Sequence, residues 1–355
     1  MSMARNSTFI FKQAPRPGWP LTEENLAVET RTFDLGAAPP LGGFTIAHLF
    51  FSLDPGLRLR MVSSDDHCYM TPFEEGQTIP ETSIARVLKS DCPIFRPGDL
   101  VIGFGEMEEY SAIRASAVTT FQHIQNPYLL PLTAFLGPLG IPGLTAYSSL
   151  FAIGKPVAGE TIYVSAAAGG VGQVVGQLAK VEGLKVIGSV GSDEKLDIIK
   201  RTLHFDDGFN YKEEDPTAAL KRLAPEGIDI FYDNVGGEAL DAALLDMKCN
   251  GRIVSCGCAS QYTRNPTTQY RLANLLEIPA RRLTMQGFIV FDQPMLNWSL
   301  THETRVGRLL AMGQMVSQED IVVGMDKAVE AFLGVLSGRN VGKAILQVSE
   351  VSRTP

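Results

Sequence analysis

The chain has 355 residues, long for a single hydrophobic core, so two domains are expected, and 45% hydrophobic content is ample to fill both. Charged residues make up 20% of it without any block of like sign, and a net charge of -8 gives no basic footprint for nucleic acid or an anionic membrane. No segment reaches about 18 consecutive apolar residues, and the opening "MSMARNSTFIFKQAPRPGWP" lacks a signal-type apolar run, so a soluble cytoplasmic protein is the expectation.

From residue 1 to 139 the chain is rich in Pro, Gly and short β-like runs, among them "HLFFSLD", "SIARVLK" and "DLVIGFG". Turn signals at Pro55-Gly56, Pro72 and Pro97-Gly98 separate them, which predicts a compact, mostly antiparallel β domain. From 140 to 312 the character changes. A helix is expected near Pro142 in "GIPGLTAYSSLF". After it, short runs such as "TIYVSAA", "KVIGSV", "IDIFYDNV" and "GRIVSCG" alternate with amphipathic segments such as "QVVGQLAKVEG", "SDEKLDIIKRT" and "GEALDAALLDM". Continuous Val and Ile in the short runs indicates strands covered on both faces, hence an α/β fold with a doubly wound parallel sheet. From 313 to 355 the helix "MDKAVEAFLGVLSG" precedes the short strand "GKAILQV", which is too isolated to form a domain and is expected to pair with the first β domain.

Five cysteines, Cys68, Cys92, Cys249, Cys256 and Cys258, form no paired framework and no Cys-x-x-Cys, so they read as reduced thiols. Cys256 and Cys258 alternate along "RIVSCGCAS" as strand side chains do, and small core residues explain them.

"TIYVSAAAGGVGQVVGQLAK" puts Ala167-x-Gly169-x-x-Gly172 after a predicted strand and at the start of a predicted helix. Small residues let the backbone turn tightly and let a pyrophosphate approach the helix N–H groups, where the dipole favours negative charge. Ala and Gly also serve plain strand-to-helix turns, so the βαβ setting carries the assignment of a dinucleotide site. The next strand ends about twenty residues on, at the position that reads the adenosine ribose. No acid stands there: the strand closes on Val190 and Gly191, with Ser192 and Lys195 following. An ammonium at Lys195 can meet a 2'-phosphate, which favours NADP(H) over NAD, although "SDEK" also reads as an ordinary capped helix start.

The run from "GIPGLTAY" through "VSAAAGGVGQVVGQLAK", "GSDEK", "FNYK", "YDNVGGEALD" and "GRIVSCGCASQY" to "GFIV" and "GRNVGKAI" resembles the zinc-independent medium-chain dehydrogenases/reductases. Within them it is most similar to the leukotriene B4 12-hydroxydehydrogenase / prostaglandin reductase and alkenal double-bond reductase group. The resemblance implies a Rossmann domain inserted into a GroES-like catalytic domain. It implies that Gly169, Gly170 and Gly172 line the pyrophosphate and that Ser192, Lys195 and Tyr211 surround the 2'-phosphate. It further implies that Asn234, Phe288, Ile289, Val290 and Asn340 contact the cofactor, the last four on its nicotinamide half. From the residues alone, Asn234 before Gly236-Gly237 is also a common turn, and residues 288–290 also read as a buried strand.

Zinc-dependent relatives need a Cys together with a Gly-His-Glu element in the β domain and often four closely spaced cysteines, and this chain has neither the Gly-His-Glu element nor the cysteine lobe. "DDHCY", residues 65–69, is a local cluster of ligand types that reads as a polar loop, and His48, His123, His204 and His302 are scattered singly. No metal is expected. Without one, hydride needs an acceptor that is already electrophilic, and a conjugated carbonyl is one: addition at the β-carbon leaves an enolate for a hydroxyl donor to stabilise. Tyr262 in "ASQYTRN" matches the family's active-site tyrosine, its alternative being an exposed loop residue. The family's Asp-Pro-Tyr-Met-Arg element reads "DPGLR" here, so Gly56 and Leu57 replace an aromatic and a methionine that shape the substrate pocket. The expected activity is therefore NADPH-dependent reduction of an enal or enone, in a homodimer formed through an edge strand, as family precedent implies. Quinone reduction, or a catalytically altered NADPH-binding protein, are the alternatives.

Overall fold

The computed structural model describes residues 3–16, 18–63, 70–262 and 267–349, so the 65–69 cluster, including Cys68, lies outside the described residues. The chain forms two compact units. One comprises Gly137–Glu319 with Asn340–Lys343, the other Met1–Leu136, Asp320–Arg339 and Ala344–Pro355.

The first unit is built on six parallel strands: β1 Thr161–Val164, β2 Lys185–Val190, β3 Asp207–Asn210, β4 Ile228–Asp233, β5 Met247–Ser255 and β6 Thr284–Gly287. Their order across the sheet is β3-β2-β1-β4-β5-β6, so the direction of winding reverses between β1 and β4. Helices α1 Gly172–Val181, α2 Asp193–Arg201, α3 Pro216–Leu223 and α4 Gly237–Asp246 cross between them.

Strand alternation distributes the core to both faces. Ile162, Val164, Val186, Ile230, Tyr232 and Val254 pack against Val174, Val175 and Leu178 of α1. On the other face Tyr163, Ile187, Phe209, Phe231 and Ile253 meet Ala219 and Leu220 of α3 and Leu240 and Leu244 of α4. Tyr163 stacks on Phe231 at 4.7 Å between ring centroids, an aromatic pair that ties β1 to β4 directly below the reversal. The Val-, Ile- and aromatic-rich centres of these strands follow from this double coverage.

The second unit is antiparallel β. Met3–Phe11 lies between Leu26–Asp34 and Gln77–Thr78, and a larger sheet contains Phe44–Ser52, Pro80–Ser90 and Leu100–Glu106. The late strand Lys343–Gln347 joins that sheet, with Ile345 opposite Ser52 and Leu346 opposite Phe51, as its isolation predicted. His48 is fully buried in this unit, its ring nitrogens 3.1 Å from Ser83 Oγ and 3.0 Å from Ser111 Oγ.

Candidate cofactor and active site

The turn after β1 is shaped by close packing. Ala166 has φ 49°, in the left-handed region, and Gly169 N–H donates back to the Ala166 carbonyl at 3.0 Å. A Cβ on Gly172 would stand 2.4 Å from that same carbonyl oxygen, so only glycine lets α1 begin this near the strand. Gly169 is more open, its hypothetical Cβ meeting only the Ala166 carbonyl at 3.2 Å. Gly170 rests on the stem of the buried Lys343, which brings the Asn340–Lys343 segment against the turn. The residues present fit a pyrophosphate: a small-residue turn opening a ten-residue helix.

At the end of β2, Ser192 caps α2, its Oγ accepting Lys195 N–H at 3.3 Å. Tyr211 follows β3, with its N–H on the Val190 carbonyl at 3.0 Å and its phenol lying over Gly191. The structure thus gathers Gly191, Ser192 and Tyr211, with Lys195 in the first turn of α2. Asp193, the nearest acid, accepts a 2.9 Å hydrogen bond from Asn210 Nδ2. That bond ties Oδ1 of the acid in "SDEK" to the end of β3.

Between β1 and β4, Asn234 N–H donates to Ser165 Oγ at 2.9 Å, and its Nδ2 donates to the Ser165 carbonyl at 2.7 Å. Asp233 is fully buried, and its Oδ1 accepts from Ser165 Oγ, Val235 N–H and Gly236 N–H at 3.2, 3.0 and 2.8 Å. Burial pushes the Asp233 carboxyl up to about 6, with these hydrogen bonds opposing the shift. Sequence reasoning passed over both Asp233 and Ser165. The available signal was a charged residue closing the apolar strand "IDIFYD".

Strand β5 ends at Ser255, so Cys256 and Cys258 are not strand residues as their alternation suggested. The chain bends there, with Cys256 and Gly257 both donating N–H to the Asp233 carbonyl, at 2.8 and 3.1 Å. Burial pushes the Cys256 thiol up to about 12, while Cys258 is exposed. Tyr262 is half-buried at the end of the short turn Ala259–Gln261, and its phenol oxygen accepts Cys258 N–H at 3.3 Å. It is therefore held at the carboxyl end of a parallel strand, where ligands of such sheets sit.

Residues 288–290 follow β6 rather than forming a strand: Phe288 packs on the α1 side of the core, and Ile289 is exposed. Asn340 Nδ2 donates to the Gly342 carbonyl at 2.7 Å, closing its own turn. Among the described residues no group of three or more His, Cys, Asp or Glu is placed to hold a metal ion.

Residues 170–302 match the family described as zinc-binding dehydrogenase, and residues 9–121 match that described as the N-terminal domain of oxidoreductase. The chain is 46% identical to the NADP-dependent oxidoreductase RED1 of Cochliobolus heterostrophus over 99% of both chains. It is 41% identical to an NADP(+)-dependent 2-alkenal reductase of Nicotiana tabacum over 94% of each. The crystal structure of CurA from Vibrio vulnificus in complex with NADPH is 32% identical, with a TM-score of 0.84, covering 98% of this chain and 100% of that one.

Proposed function

The chain belongs to the medium-chain dehydrogenase/reductase family of NADP-dependent oxidoreductases, and from that premise we propose that it reduces the carbon–carbon double bond of an α,β-unsaturated carbonyl. The observation that carries the cofactor assignment is the end of β2, where Gly191 lies under the Tyr211 phenol, the strand closes on Val190 without an acid, and Asp193 of the following helix accepts from Asn210. Ser192, Lys195 and Tyr211 would hold the 2'-phosphate, and Gly169, Gly170 and Gly172 would admit the pyrophosphate to α1. Asn234 would contact the cofactor at the end of β4, and Phe288, Ile289, Val290 and Asn340 would border its nicotinamide half.

Bound NADPH supplies a hydride for the β-carbon of the substrate. The chain's own contribution is at the oxygen end. Tyr262, whose phenol oxygen already accepts Cys258 N–H, is better able to donate its own proton, because that bond stabilises charge on the phenol oxygen. It would bond the carbonyl and then support the enolate until the α-carbon is protonated.

A homodimer through β6 belongs to the same reading. All four residues of that outer strand are exposed, so its unpaired edge is open to a second copy. A cytoplasmic location is part of it too, and among the described residues no helix is long and apolar enough to cross a membrane.

The test is titration with NADPH and NADH, then NADPH oxidation with enals, enones and quinones and identification of the product. Tight NADPH binding and a saturated carbonyl product are expected. Turnover of quinones alone would move the assignment to a quinone reductase, and failure to bind NADPH would remove it.

A further inference from the structure

The winding of the sheet reverses between β1 and β4, and in such sheets the ligand lies in the crevice outside the strand ends at that point. With the pyrophosphate on α1 and the adenosine end at β2, the other half of a dinucleotide must run toward β4. The backbone there is made by two loops from distant parts of the chain, the one that begins at Ser165 and the one that begins at Asn234. What joins them is a side-chain lock rather than sheet hydrogen bonding alone.

We propose that Asp233 is a positioning residue, which through Ser165 and the Val235–Gly236 turn locks the loops leaving β1 and β4 into one surface for the nicotinamide half of the cofactor. The proposal rests on the NADPH reading above. Three donors converge on Oδ1: the Ser165 hydroxyl and the N–H groups of Val235 and Gly236. Ser165 Oγ in turn accepts Asn234 N–H, and the Ser165 carbonyl accepts Asn234 Nδ2. Gly236, at φ 65°, and Gly237, at φ 56°, give the turn the left-handed backbone that folds it back on the carboxylate.

This arrangement costs more than a simple loop closure requires. Among the described residues Asp233 Oδ2 is buried without a hydrogen-bond partner, and leaving a buried oxygen unsatisfied is unfavourable. A neutral acceptor would satisfy the same three donors, but a carboxylate holds them with stronger, charge-assisted bonds. Rigidity of the two loops is what that cost obtains, and misplacing a reacting group by about 1 Å can cost roughly 100-fold in rate.

The lock is also sensitive to protonation. Among the described residues, the titratable groups that interact with Asp233 are Tyr163 of β1 and Cys256 and Cys258 beyond β5. Burial pushes all three upward, so they stay protonated and neutral through the acidic range. As pH falls through about 6 the carboxyl gains a proton, Oδ1 becomes a weaker acceptor, and the lock loosens.

The experiment measures NADPH dissociation constant, kcat and KM on the full chain, for wild type, Asp233→Ala, Asp233→Asn and Ser165→Ala, between pH 5 and 8. Asp233→Ala and Ser165→Ala should each weaken NADPH binding by roughly tenfold and lower kcat at saturating NADPH. Asp233→Asn keeps an oxygen for the three donors but not the charge, so at pH 7.5 it should fall between wild type and Asp233→Ala, and it should lack the further loss of affinity below pH 6 that wild type shows. Glu106 of the antiparallel unit also titrates high, at about 7, so the difference between wild type and Asp233→Asn identifies the group. Wild-type NADPH affinity and kcat in both Asp233→Ala and Ser165→Ala, or an unchanged acid limb in Asp233→Asn, would overturn the proposal. Should Asp233→Ala fail to fold, Ser165→Ala, which removes only a hydroxyl, decides it. A wild type that binds no NADPH at any pH refutes the cofactor reading instead.

Discussion

The phenol of Tyr211 covers Gly191 so closely that a Cβ on Gly191 would stand 2.8 Å from the phenol oxygen. Gly191→Ala should therefore push Tyr211 off the end of β2 without disturbing the pyrophosphate turn, and it should weaken NADPH binding more than NADH binding. Lys195→Ala should act in the same direction by removing the cation. Either change is expected to cut the NADPH-over-NADH preference by roughly tenfold, equivalent to about 1.4 kcal/mol. Parallel titrations check this, and equal losses for both cofactors would mean that neither residue meets the 2'-phosphate.

The residues legible in the sequence were those whose role is local. Continuous apolar runs identified β1, β2 and β4 because a strand buried on both faces has no polar side to show, and Gly172 was visible because its crowding comes from Ala166, six residues away. The Asp233 lock was not legible. Its partner Ser165 is 68 residues distant, and "YDN" looks the same whether its acid faces water or a buried hydroxyl. Cys256 and Cys258 were misread because alternation continued in the sequence after the backbone had left the strand. At that departure Gly257 N–H joins Cys256 N–H on the Asp233 carbonyl, a bond no sequence pattern shows. The phenol bond of Tyr262 depends on that same bend.

Tyr262→Phe leaves the ring packing in place and removes the oxygen that Cys258 N–H reaches. If the phenol stabilises the enolate and its proton transfer, kcat with an enone should fall by about 100-fold or more while NADPH affinity stays unchanged. Steady-state kinetics with a cofactor titration on the same sample separates the two. An unchanged kcat would leave Tyr262 as a loop residue that merely closes on its own backbone.

Gly56 lies in the short helical turn Pro55–Arg60, outside the left-handed region, and a Cβ there meets nothing within 4 Å. Neither backbone nor packing requires glycine at this position. Gly56→Tyr, which restores the aromatic of the related element, should fold normally, with a midpoint of thermal unfolding close to wild type. The expected change is in selectivity: kcat/KM for a bulky cyclic enone should fall relative to a short linear enal. An unchanged ratio would show that the open space at Gly56 does not face the substrate.

His302 is buried, its Nε2 donating to the Pro138 carbonyl at 2.8 Å, and burial lowers its pKa to about 4 despite that bond. His48, fully buried between two serines, is lowered to about 3. Both are neutral in the fold and take a proton near pH 6.5 once unfolded, so each withdraws stability as pH falls below about 6.5 and continues to do so down to its folded value. Asp233 and Glu106 oppose this, because carboxyls raised to about 6 and about 7 bind protons more tightly in the fold than in the unfolded chain. The net pH curve of the wild type therefore mixes two signs, and a variant isolates one of them. His302→Gln keeps an N–H donor for Pro138 and removes the titration, so relative to wild type it should gain about 2 kcal/mol between pH 7.5 and pH 5. Urea unfolding at the two pH values measures the difference. A His302→Gln variant whose deficit or excess is the same at both would mean that the buried ring titrates in the fold as it does in the unfolded chain.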